Sequence, residues 1–88
     1  MTDEEALGLI TEIVRDILDN DDIVLSTAST AANTPGWDSV AHAGIVVALE
    51  QRLRRPLLTH QIEGIETVGD LVSLVLLLTT TANPGRLS

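Results

Sequence analysis

The sequence predicts a small all-α four-helix bundle: three longer helices, one short one, and a long loop between the first and second. Two observations carry this. Apolar residues recur at spacings of three and four along residues 3 to 19, 39 to 53 and 67 to 79. The connection between the first two stretches, 20 to 38, is rich in Ser, Thr, Ala and Asn and closes on the turn signal Pro35-Gly36. At 88 residues the chain is expected to form one small domain over residues 1 to 80, followed by a polar tail over 81 to 88. Trp37 is the only aromatic residue, so the core must be built from Leu, Ile, Val and Ala.

In the first helix Ala6, Leu7, Ile10, Ile13, Val14, Ile17 and Leu18 share one face. Asp3, Glu4 and Glu5 complement the positive end of its dipole. In the following loop Ile23, Val24 and Leu25 are expected to tuck into the core, and Ser26 to Thr34 reads as loose. A connection of this length in a compact domain points to a role of its own. Trp37 is expected to anchor the loop on the edge of the core, with contact to a ligand or partner as the sharper alternative.

The second helix begins at Ser39, as its first residue or its cap. On a helical wheel His42, Ile45, Val46, Leu49 and Leu53 face inward, whereas Val40, Ala43, Gly44, Val47 and Gln51 form an unusually apolar outer face. Arg52, Arg54 and Arg55 close the helix with charge suited to its C-terminus, with docking to an acidic partner patch as the alternative, and Pro56 stops it. Leu57 and Leu58 re-enter the core. A short third helix spans about His60 to Ile65 with Thr59 as cap, and breaks near Gly64. Thr67 with Asp70 three residues on reads as a capping box for the fourth helix. In that helix Val68, Leu71, Val72, Val75 and Leu76 face inward and Leu77 outward.

Composition excludes several classes. With no cysteine there are no disulfides or thiolate metal sites, so any thiol chemistry must come from a cofactor. A net charge of −8, with no lysine, opposes binding to nucleic acid. The two histidines lack partners for a metal site. The acidic N-terminus is no secretory signal, and the longest apolar run is far too short to span a bilayer, so a soluble cytoplasmic protein that acts as a monomer, away from membranes, is expected. Asp38, Ser39 and His42 are the residue types of a hydrolase triad. The wheel, however, turns His42 inward, where it is expected to be buried, neutral and bonded to a loop carbonyl.

Asp38-Ser39-Val40, Ala48-Leu49-Glu50, Leu53 and Ile65-Glu66-Thr67-Val68-Gly69-Asp70-Leu71-Val72 together resemble the acyl and peptidyl carrier proteins. The resemblance covers roughly residues 5 to 78. It implies a non-catalytic carrier with 4′-phosphopantetheine attached to Ser39 and Asp38 in support. Implied partners are a phosphopantetheinyl transferase, an acyl- or aminoacyl-loading enzyme, and synthase or tailoring enzymes. Val40, Ala43, Gly44, Val47 and Trp37 are the residues expected to meet them. In fatty-acid carriers the positions of Ala41, Ala43 and Gln51 are often acidic. Their replacement here favours polyketide, nonribosomal peptide or related specialised biosynthesis. An unmodified interaction module and a fatty-acid carrier are the alternatives.

Overall fold

The computed structural model describes residues 1–80, and the tail expected over 81–88 lies outside them. Among the described residues there are four helices and no strand: α1 (Asp3–Ile17), α2 (Ser39–Leu53), α3 (Thr59–Glu63) and α4 (Val68–Thr80). The all-α expectation therefore holds. No described helix is long and apolar enough to cross a membrane.

Helix α1 starts on a capping box. The Thr2 hydroxyl accepts from the Glu5 N–H (3.1 Å), and the Glu5 carboxylate accepts from the Thr2 N–H (2.8 Å). The backbone hydrogen bond from Thr2, helped by the Thr2 side chain, holds the Glu5 carboxyl below the usual range. The helix ends two residues earlier than expected, because Leu18 caps it and Asp19 turns left-handed (φ 51°).

Helix α1 packs against both α4 and α2. Glu12 pairs with Arg52 and Ile17 lies beside Gly44, so α1 and α2 run in opposite directions. The core joins Ala6, Ile10, Ile13 and Val14 of α1 to Ile45 and Leu49 of α2 and to the buried face of α4. Each such aliphatic side chain contributes about 1.5–3 kcal/mol when fully buried. Val68, Leu71, Val72 and Val75 of α4 are buried as expected and Leu77 is exposed, while Leu74 and Leu78 join the core as well.

Ile17, 36% exposed at the end of α1, and two connector residues expected in the core are not in it. Val24 is 82% and Leu58 52% exposed, whereas their neighbours Leu25 and Leu57 are buried. Adjacent side chains of an extended connector point opposite ways, so only one of each pair can face inward. Leu58 is extended (φ −78°, ψ 149°), and it, not Thr59, precedes the first turn of α3.

The arginine cluster is mostly structural. Arg55 donates to the Leu78 carbonyl (2.8 Å) and so ties the end of α2 to the last turn of α4. The Arg52–Glu12 pair is exposed and worth about 0–1 kcal/mol. Arg54 takes the left-handed C-cap (φ 57°, ψ 40°) that turns the chain toward Pro56.

Candidate functional site

The long loop is stitched, not loose. Ser26 and Ser29, and Thr30 and Asn33, close tight turns through side-chain to backbone hydrogen bonds of 2.9–3.2 Å. The Thr34 hydroxyl, buried with its residue, donates to the Thr30 carbonyl (2.7 Å). The loop is also fastened to the start of α4. The Val68 N–H donates to the Ser29 carbonyl (2.8 Å) and the Gly69 N–H to the Thr27 carbonyl (2.9 Å). A Cβ on Gly69 would lie 2.9 Å from that Thr27 oxygen, so only glycine lets the loop backbone approach this closely. The predicted capping box is present too: the Asp70 N–H donates to the Thr67 hydroxyl, and Asp70 Oδ2 accepts from the Thr67 N–H, both at 3.1 Å.

Held there, the loop delivers residues 34–38 to the start of α2. Gly36 turns with φ 89°, a conformation that suits glycine. The cap of α2 is Asp38, whose Oδ1 accepts from the Ala41 N–H (2.8 Å), so Ser39 is the first helical residue. Asp38, Ser39 and Val40 are all exposed. The Ser39 hydroxyl and the Ser39 and Val40 N–H groups have no hydrogen-bond partner among the described residues. An exposed hydroxyl thus sits at a helix start whose unpaired donors favour an anion.

His42 differs from its expected state. It is half-buried, and its Nδ1 accepts from the Trp37 indole N–H (3.2 Å) instead of pairing with a loop carbonyl. The two rings stack at 6.2 Å with 28° between their planes. An indole N–H only donates, so Nδ1 offers its lone pair and the ring proton sits on Nε2. The wheel placed His42 correctly beside the core, but the loop brings Trp37 over it and supplies the partner. Trp37 packs against the core, as the anchoring role requires. Neither the His42–Trp37 bond nor the Asp38–Ala41 bond reaches Ser39, so the three residues do not form a catalytic relay.

Along the outer face of α2, Val40 (82% exposed) and Val47 (50%) stand out with Ala43 and Gln51. Gly44 does not belong to that face. It is half-buried, and a Cβ there would touch Ile17 Cδ1 at 3.4 Å. A wheel drawn on one helix cannot show that α1 approaches this side. Glu50, the only acid of α2, is turned inward, where its Oε2 accepts from the Leu57 N–H (2.8 Å). The exposed outer strip of α2 itself, beyond the Asp38 cap, therefore carries no carboxylate. A groove of about 1020 Å³ between α1, the loop and the C-terminal half of α2 contains none of the predicted site residues.

No family model matches the chain, and neither does any curated protein. Among solved structures it is similar to the solution structure of a holo acyl carrier protein from Geobacter metallireducens. The identity is 30%, the TM-score 0.82, and the match covers 88% of each chain. The chain belongs to the acyl carrier protein family. The four described helices are the carrier fold, and Asp38-Ser39-Val40 lies at the junction of loop and α2. The residues most informative about this carrier that the sequence did not single out are Thr27 and Ser29, which cap α4 from a distance. Their only local signal is the Ser/Thr richness of the loop.

Proposed function

We propose that this protein is a discrete carrier that holds acyl or aminoacyl intermediates on a 4′-phosphopantetheine arm attached to Ser39. The observation that carries the reading is the free, exposed Ser39 hydroxyl on the first turn of α2. The residues fit the group: a phosphodiester on Ser39 would meet unpaired N–H groups and the positive end of the helix dipole. In attachment the Ser39 oxygen bonds to the phosphorus that carries the pantetheine. The pyrophosphate bond of coenzyme A breaks, the adenosine bisphosphate leaves, and the hydroxyl proton passes to the transferase. Asp38, exposed beside Ser39, supports the transferase or its divalent metal with the oxygen that capping leaves free. The arm supplies the terminal thiol that a cysteine-free chain lacks, and with it the capacity to hold thioesters.

We place the carrier in polyketide, nonribosomal peptide or related specialised biosynthesis. Support comes from the strip of Val40, Ala43 and Val47, which lacks the carboxylates of the fatty-acid pattern. Loading and synthase enzymes would meet this strip through apolar contact and shape, with Trp37 at its edge. Gly44 has no part in that surface, since its free side faces Ile17. The test is intact-mass measurement after incubation with coenzyme A and a broad-specificity transferase. One phosphopantetheine addition is expected. An unmodified protein would mean an interaction module that only keeps the carrier shape.

A further inference from the structure

Ser39 makes no side-chain bond of its own, so its position is set entirely by its neighbours. Those neighbours form a closed set of contacts. The Trp37 N–H donates to the Thr34 carbonyl (3.2 Å) and the Asp38 N–H to the Gly36 carbonyl (3.1 Å). The His42 N–H donates to the Asp38 carbonyl (2.8 Å), and Asp38 Oδ1 holds the Ala41 N–H. Only one link joins side chains on the two flanks of the serine, the bond from the Trp37 indole to His42 Nδ1. Trp37 is the last aromatic or aliphatic residue before the serine, and it rests on the core; His42 lies one turn into α2. The pair therefore ties the end of the loop to the body of the helix, with Ser39 between them.

We infer that Trp37 and His42 are positioning residues for arm attachment: their bonded, stacked pair holds the turn at Gly36–Asp38 so that Ser39 is presented in one orientation. The inference rests on Ser39 being the attachment site. Without the pair, Gly36 leaves the turn free to swing, and the transferase meets Ser39 in only a fraction of its orientations. That lowers apparent affinity for the carrier and leaves the bond-making step inside the transferase unchanged.

The experiment loads wild type, Trp37→Phe, His42→Ala and His42→Gln with a broad-specificity transferase and coenzyme A, varying the carrier concentration. Trp37→Phe keeps the packed ring and removes the donor. His42→Gln keeps an acceptor, and His42→Ala removes it. Trp37→Phe and His42→Ala should raise KM for the carrier roughly threefold to tenfold, the range of one neutral hydrogen bond, with kcat unchanged. His42→Gln should restore most of the loss. In parallel, the Trp37 indole N–H proton should be slow to exchange in wild type and His42→Gln, and fast in His42→Ala. Wild-type KM in both Trp37→Phe and His42→Ala would overturn the inference and leave the carrier reading intact. So would losses that follow the melting temperature and are not rescued by His42→Gln. A wild type that takes up no arm would remove the carrier reading itself, whatever the indole proton shows.

Discussion

Helices α2 and α4 both begin where a connection meets an apolar stretch, yet their first turns meet opposite fates. At α4 the loop carbonyls of Thr27 and Ser29 take the first two N–H groups, and the Thr67–Asp70 box takes the next. Nothing there is left for a ligand. At α2 only the Ala41 N–H is taken, by Asp38, and the two N–H groups before it stay open beside an exposed serine. The same loop produces both results: its first half seals α4, and that anchorage lets its second half present α2. A helix start stays open to an anion when the surrounding chain declines to satisfy it.

The largest expected effect concerns the open end. Ser39→Ala should abolish uptake of the arm, as intact mass will show. Because Asp38 is the cap and the serine hydroxyl is unbonded, stability should stay within about 0.5 kcal/mol of wild type. Gly69→Ala attacks the sealed end instead. Its Cβ would press on a backbone oxygen, and overpacking of this kind costs about 1–3 kcal/mol. Chemical denaturation should show the loss, and amide exchange should show the loop released. Asp38→Ala should cost about 0.5–2 kcal/mol by unfolding, the usual range for a lost cap, since it opens the one donor that α2 has satisfied. Gly44→Ala should go the other way. Its methyl would make ordinary contact with Ile17, and alanine gains up to about 1 kcal/mol over glycine in a helix.

A smaller effect follows from pH. Hydrogen bonds from the backbone N–H groups of Glu66 and then Thr67 hold the Asp70 carboxyl below its ordinary value. Its folded pKa lies below the unfolded one, so its contribution is complete above the usual aspartate range. That contribution is lost as pH falls through the range toward the lower folded value. Asp70→Asn should therefore show a shallower acid loss of melting temperature than wild type, beginning from a lower starting point.

Much of this was readable before any coordinates. The α2 boundaries, the Thr67–Asp70 box and the exposure of Val40, Val47 and Leu77 all depend on local spacing, which a wheel and capping rules capture. The Thr2–Glu5 box was equally local and equally legible, though the acids there read only as dipole complement. What spacing could not show depends on how distant segments meet. The caps that Thr27 and Ser29 place on α4 span some forty residues. The approach of α1 to Gly44 depends on a second helix, and the partner of His42 depends on a loop whose turns are set by side-chain bonds. Val24 and Leu58 show the same limit on a smaller scale, because hydrophobicity does not say which way a connector faces.

The difference between the two helix starts can be tested directly by comparing backbone amide spectra of the unmodified and transferase-treated protein. The account predicts that attachment shifts the Ser39 and Val40 amides most, as the phosphodiester meets their open N–H groups, while Val68 and Gly69 stay where they were. Largest shifts at the start of α4, or a treated protein whose Ser39 and Val40 signals do not move, would contradict it.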